Sequence, residues 1–164
     1  MQALFYVARE QMEMRGTEPE PLKPGESRVQ VEATGICGSD LHAYHGHDPR
    51  RVPPMILGHE VAGRVVEGAW KDKRVTMNPL IVCGHCEYCQ AGRQNLCENR
   101  SMIGMNRPGS FAETVNIADH SLIELPQTLS AEIAAMTEPV ATAVHGIHRL
   151  ERVLDRPLAE SRVL

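Results

Sequence analysis

Four cysteines grouped in one short stretch are the residues of this chain best suited to chemistry. Cys83, Cys86, Cys89 and Cys97 follow the spacing Cys-x2-Cys-x2-Cys-x7-Cys. Four thiolates converging from one loop make a closed, tetrahedral, structural zinc site, with Zn–S distances of about 2.3 Å. Disulfides suit the spacing less well, because each demands a specific Cα separation and dihedral that cysteines three positions apart reach only awkwardly. Gly84 and Gly92 let the backbone turn tightly around an ion, and Pro79 sets the loop off from what precedes it.

The fifth cysteine, Cys37, stands in Gly-Ile-Cys-Gly-Ser-Asp-Leu-His (35–42). The next conspicuous segment is Gly-His-Glu-Val-Ala-Gly (58–63), and a third is Thr137-Glu138-Pro139-Val140. One thiolate, one imidazole and one or two carboxylates form a donor set of mixed softness that suits zinc. Three separate segments supply it, so only folding can assemble it, as in catalytic rather than structural sites. Each residue also has a plainer explanation: Cys37 as a small buried hydrophobe, His59 as a satisfied core histidine, Glu138 as a helix-terminal charge.

Taken together, the segments resemble the zinc-dependent medium-chain dehydrogenases, the alcohol, polyol and threonine dehydrogenase superfamily. Besides the three segments and the four-cysteine loop, Gly-Ser-Phe-Ala-Glu (109–113) and Glu-Pro-Val-Ala-Thr-Ala-Val-His (138–145) carry the likeness, in the family's order. The resemblance implies a catalytic zinc on Cys37, His59 and Glu138, with Glu60 as a fourth, exchangeable ligand, beside a structural zinc in the cysteine loop. It implies a GroES-like β-barrel and oxidation of a small-molecule alcohol by hydride transfer to NAD or NADP. Ser39 and His42 match the family's proton relay. Glu138, where the classical alcohol dehydrogenases carry cysteine, points to the sorbitol- and threonine-dehydrogenase-like branch, with a polyol or secondary alcohol as substrate and a homo-oligomer as the assembly.

Other residues near these segments have open readings. Ser39 is also a favoured turn or cap residue after Gly38, and His42 a surface histidine. Asp40 fits either an acceptor that orients a ligating histidine or a local Asx-turn. Tyr44 and Phe111 suit the wall of a substrate cleft, though Tyr44 fits packing with a wet hydroxyl equally well. His42, His45 and His47, around Gly46, read as a solvated loop. Two departures from the family pattern stand out: a compressed turn over 67–75, and Pro108-Gly109-Ser110 in place of a double glycine.

Composition narrows the alternatives. The chain has 164 residues, one domain's worth, and a net charge of −4 with no basic run beyond Arg50-Arg51. A nucleic-acid surface is therefore unsupported. No stretch approaches the roughly 18 apolar residues of a membrane span, and cysteines grouped for metal rather than bridges suggest a reducing cytoplasm. Two plainer functions stay open: a zinc-ribbon-like binding module in which only the cysteine loop matters, and a self-associating structural domain.

The elements that must position these residues read as mainly β with a few helices, an irregular barrel. Residues 3–8, 28–33, 61–66, 74–77, 112–117 and 122–124 read as strands, with Val29, Val31 and Ala33 on one face. Residues 50–57 read as a loop that delivers His59. Ser130 should cap a helix over 131–136. Pro139 should open a second helix to about residue 152, with Val140, Val144, Ile147 and Leu150 as its buried face. Residues 1–150 then form the zinc-binding domain, and 151–164 a linker and the start of a dinucleotide-binding strand. No Gly-x-Gly-x-x-Gly occurs in the chain. The expectation is therefore of a catalytic domain that binds zinc but turns over no alcohol by itself.

Overall fold

The computed structural model describes residues 1–162. In chain order the strands are β1 (Gln2–Ala8), β2 (Gln11–Gly16), β3 (Glu26–Gly35), β4 (Met55–Ile56), β5 (Glu60–Glu67), β6 (Arg74–Met77), β7 (Leu80–Ile81), β8 (Ser101–Met102), β9 (Thr114–Ala118) and β10 (Leu122–Glu124). The helices are α1 (Gly38–Tyr44), α2 (Glu87–Gln90), α3 (Ala131–Ala135) and α4 (Thr137–Glu151). Every strand pairing is antiparallel, in three sheets ordered β10-β6-β5-β3-β9, β2-β1-β4 and β7-β8. The expectation of a mainly β, GroES-like barrel holds.

Alternation along the strands builds the core. On β3, Val29 is fully buried while Gln30, Glu32 and Thr34 face water, the period-2 pattern of a half-buried sheet. Val29 meets Val61 and Val65 of β5, Val75 of β6 and Val115 and Ile117 of β9, with Trp70 packed against the cluster. Such side chains each contribute roughly 1.5–3 kcal/mol on burial. A smaller cluster joins Ala62 of β5 to Ala134 and Ala135 of α3, which seats that helix on the back of the sheet. As expected, Ser130 caps α3, its hydroxyl accepting from the Ile133 N–H at 3.4 Å.

Three expectations need correction. Helix α4 starts at Thr137, so Pro139 sits inside its first turn, where no intrahelical N–H donor is needed. Its apolar stripe is not buried: Val140, Val144, Ile147 and Leu150 are 55, 43, 45 and 40% exposed. The helix leaves the barrel after its first turns, and among the described residues nothing covers that face. The segment of His42 and His45 is also not a loop. His42 lies in α1 and His45 is its C-terminal cap. Residues 50–57 do form a connection, interrupted only by the two residues of β4 that pair with Phe5 and Tyr6. The expected dinucleotide-binding strand at 161–164 runs into positions 163 and 164, outside the described residues. No helix among the described residues is long and apolar enough to cross a membrane.

One buried ion pair pins β3 to the loop before β9. The Glu26 carboxylate accepts from Arg107 Nη2 and, at 3.1 Å, from the Lys23 N–H. Burial raises its pKa, but the Arg107 hydrogen bond and then the Lys23 N–H outweigh burial and hold it below the usual carboxylate range. A depressed folded-state pKa contributes stability that is present above the unfolded-state value, about 4.3, and is lost as pH falls through the folded-state value. Glu26→Gln is therefore expected to lower stability at pH 7 by about 1–3 kcal/mol. In thermal melts the gap to wild type should close below about pH 4; a gap independent of pH would contradict this assignment.

Candidate metal centres

The first centre is local. Hairpin strands β7 and β8 pair Leu80 with Met102 and Ile81 with Ser101, closing the base of the cysteine loop. Gly84 (φ +77°) and Gly92 (φ +71°) take the left-handed conformation at its two sharp turns. Cys86 caps α2 and Cys89 lies within it, so the helix presents two of the four sulfurs. All four Sγ atoms lie within 4.8 Å of one another. Cys97 Sγ stands 3.6 Å from Cys83 Sγ, which is 4.0 Å from Cys89 Sγ. A tetrahedron of sulfurs about 2.3 Å from a central zinc has edges of about 3.8 Å. These separations fit an ion and are far beyond an S–S bond of about 2.05 Å.

The thiols are electrostatically unequal. Backbone N–H donation from His85, then from Cys86, pulls Cys83 down to about 6. Burial, then the neighbouring Cys86 thiol, pushes Cys89 up to about 12. Four thiolates this close repel each other, and a divalent cation among them removes the conflict. The donor chemistry therefore fits zinc.

The second centre is assembled across the sheet. Strands β3 and β5 pair in a register that sets Gly35 opposite Glu60. Cys37 lies two residues beyond the end of that ladder and His59 one residue before its start. Ligand atoms of Cys37, His59 and Glu60 all lie within 4.8 Å of one another, and His59 and Glu60 are buried. The Glu60 carboxylate fills the space where a Cβ on Gly35 would sit. That close approach is why glycine is needed at position 35.

Asp40 ties the centre to α1. It is 2% exposed. Its Oδ2 accepts from the Cys37 N–H at 3.1 Å, and its Oδ1 lies 3.5 Å from both the Gly58 N and His59 Nδ1. Asp40 thus bonds back to the Cys37 N–H at the start of its own helix, a capping contact rather than the Asx-turn that the sequence also allows, and it faces the histidine. The His59 contact is long, and Nδ1 has no closer partner. Burial alone would lower the His59 pKa, but Asp40, and after it Cys37, raise it to about 8. An imidazole ligand must be neutral, so a metal here competes with that proton.

The remaining predicted residues take different places. Ser39 lies in the first turn of α1, its Oγ and carbonyl both held by Arg51, at 3.2 and 3.3 Å. His42 is exposed one turn further along, its ring 6.2 Å from that of His47. Phe111 packs with Tyr6, Ala43 and Leu57 and lies against Gly58, the residue before His59. The Tyr44 hydroxyl is committed elsewhere, donating to the Glu10 carbonyl at 3.0 Å. Glu138 is in the first turn of α4, where its Oε1 accepts from Thr142 Oγ1 at 3.3 Å. It stands outside the Cys37, His59 and Glu60 group. Sequence reasoning missed Arg51, which is 3% exposed and bonded across the base of the centre. Its sequence context, a polar loop, gives no sign of burial.

The chain is thus a β-barrel that gathers two candidate metal centres, a four-thiolate loop and a separate thiolate, imidazole and carboxylate set. Residues 23–127 match the model of the alcohol dehydrogenase GroES-like domain. The chain is 42% identical over 139 residues to sorbitol dehydrogenase of Halalkalibacterium halodurans, covering 79% of this chain and 40% of that one. It is 40% identical over 131 residues to L-threonine 3-dehydrogenase of Mesorhizobium japonicum, covering 74% and 38%. A crystal structure of an NADP-bound dehydrogenase of Sinorhizobium meliloti, described as zinc-binding, superposes with a TM-score of 0.81 at 41% identity, covering 90% of this chain and 45% of that one. The chain belongs to the zinc-dependent medium-chain alcohol and polyol dehydrogenase family, whose GroES-like domain it carries. It spans less than half the length of each of these three proteins.

Gly35→Ala tests the close approach at the second centre. The added methyl group displaces the Glu60 carboxylate, so the variant is expected to retain less metal at the second centre than wild type and to keep the cysteine-loop ion. Elemental analysis of the two purified proteins checks it; equal metal content would contradict the geometry.

Proposed function

We propose that this chain is the zinc- and substrate-binding domain of an NAD- or NADP-dependent enzyme that oxidises a polyol or secondary alcohol to a ketone. The observation that carries the reading is the convergence of Cys37, His59 and Glu60 at the end of the β3–β5 pair. The names of the sorbitol and threonine dehydrogenases among its relatives support the substrate class. The cysteine loop holds a structural zinc, and the second centre a catalytic one. Zinc bound at the second centre supplies Lewis acidity, which lowers the pKa of an alcohol hydroxyl by several units.

The residues of the chain divide the remaining work. Cys37 and His59 are ligands, with Asp40 against Nδ1 orienting the imidazole. Glu60 already stands in the group. Glu138 would be the further carboxylate ligand, with Glu60 as the exchangeable one. Ser39 and His42 lie three positions apart on α1, hence on one helix face, and together carry the hydroxyl proton towards solvent. His42 suits that role as an exposed imidazole, whose two ring nitrogens can accept and donate a proton. Phe111 lines the cleft beside Gly58, and Tyr44 its outer edge. The reaction class is hydride transfer from the carbinol carbon to a nicotinamide, with residues 1–150 as the zinc domain and 151–164 as the connection onward. The exposed stripe on α4 suits burial against further protein, in keeping with a homo-oligomeric assembly.

Metal content tests the reading. Cys37→Ser and His59→Gln should each reduce bound zinc from about two ions to about one per chain, leaving the cysteine-loop ion in place. Unaltered content in both variants would favour a binding module in which only the cysteine loop holds metal. The 164-residue chain alone, loaded with zinc, is expected to give no steady-state NADH from sorbitol or threonine. Sustained NADH production would overturn that part of the proposal.

A further inference from the structure

Arg51 belongs to neither donor set above, yet it is a buried charge that reaches Ser39 and Asp40 beside the second of them. Its side chain is 1% exposed, and a guanidinium stays charged at any accessible pH. Such a group is tolerated in the interior only when carboxylates and oriented acceptors surround it. Arg51 has both. Nε donates to the Gly104 carbonyl at 2.9 Å, and Nη1 to Asp48 Oδ2 at 2.8 Å and to the Ser39 carbonyl at 3.3 Å. Nη2 donates to Ser39 Oγ at 3.2 Å and lies 4.0 Å from Asp40 Oδ1.

These partners belong to three segments that meet behind the second centre. Ser39 and Asp40 lie in the first turn of α1, which Cys37 precedes as the N-cap. Asp48 belongs to the loop that leads towards His59. Gly104 packs directly against the backbone of Gly58. One planar fork therefore fixes both sides of the Cys37–His59 pair, with Asp40 as the link: its carboxylate faces Arg51, the Cys37 N–H and His59 Nδ1.

We propose that Arg51 is a positioning residue, which holds Cys37 and His59 in register for their metal through Asp40 and orients the Ser39 hydroxyl. This rests on the reading that Cys37, His59 and Glu60 hold metal. Guanidinium has donors and no acceptors, so Ser39 Oγ must accept from Arg51, and its own proton points away from the fork. Lysine cannot substitute, because one ammonium cannot reach Gly104, Asp48 and both Ser39 oxygens at once.

Cobalt titration of the metal-free 164-residue chain tests the proposal, since absorption separates a four-thiolate cobalt site from one with a single thiolate. Partners that orient a ligand typically contribute about 10–100-fold in metal affinity. Arg51→Lys and Arg51→Gln are expected to lose about that much at the second centre, with affinity at the cysteine loop unchanged and a wild-type far-ultraviolet circular dichroism spectrum showing that the barrel is folded. Wild-type affinity at the second centre in both variants overturns the proposal. Full recovery in Arg51→Lys overturns the claim that the fork geometry is what matters. If both variants misfold and lose both centres, Asp48→Asn decides: it removes the negative charge facing Nη1 but keeps the arginine and its Ser39 and Gly104 contacts. A selective loss at the second centre supports the proposal, and unchanged affinity there overturns it. A wild-type chain that takes up cobalt only at the cysteine loop would instead refute the reading of Cys37, His59 and Glu60 on which the proposal rests.

Discussion

The pairing of β3 with β5 is the constraint from which the second centre follows. Gly35 opposite Glu60 is the last rung of that ladder, and both chain ends leave it in the direction of the centre. Side chains alternate along a strand, so a slip of one residue would send Glu60 to the other face and carry His59 away from Cys37. The register is held from inside the barrel. Val29, Val61 and Val65 are buried in the same cluster, and exchanging them for their polar neighbours would expose that apolar surface. Irregularities in the ladder at Arg28/Val29 and Val31/Ala33 adjust the strands so that the core and the site are satisfied together.

The two centres sit at opposite ends of a scale of locality. The cysteine loop draws its ligands from residues 83–97, and a two-rung hairpin closes it. Its geometry depends little on the rest of the chain. The second centre gathers Cys37, Asp40, Arg51, His59 and Glu60 into an interior where four of the five are buried. Isolated, each such charged or polar group is expensive to desolvate. Arranged as Arg51 to Asp40 to His59, each answers its neighbour, and the cost is met only in the folded barrel. This interdependence makes the second centre the more sensitive of the two to substitutions that never touch a ligand.

What the sequence made legible follows the same scale. The close spacing of four cysteines announced the loop, and the strand pattern gave β6 and β10 with their bounds, because those strands are short and bounded by turn residues. Strand β2 escaped notice because it is an edge, paired only with β1, and its residues are largely exposed. Helix α1 is too short for periodicity to show; Asp40 starts it by capping the Cys37 N–H, a role shared with the metal centre. The stripe on α4 was correctly helical and wrongly assigned to the core, since periodicity reports which residues share a face but not what covers it. Arg51 was hidden altogether, because burial of a charge depends on partners distant in sequence.

Anomalous diffraction at the zinc absorption edge, from crystals of the zinc-loaded chain, tests the central claim most directly. Two peaks per chain are expected, one among Cys83, Cys86, Cys89 and Cys97, the other between Cys37, His59 and Glu60 at the end of the β3–β5 ladder. A single peak in the cysteine loop, from protein saturated with zinc, would contradict the account of the second centre.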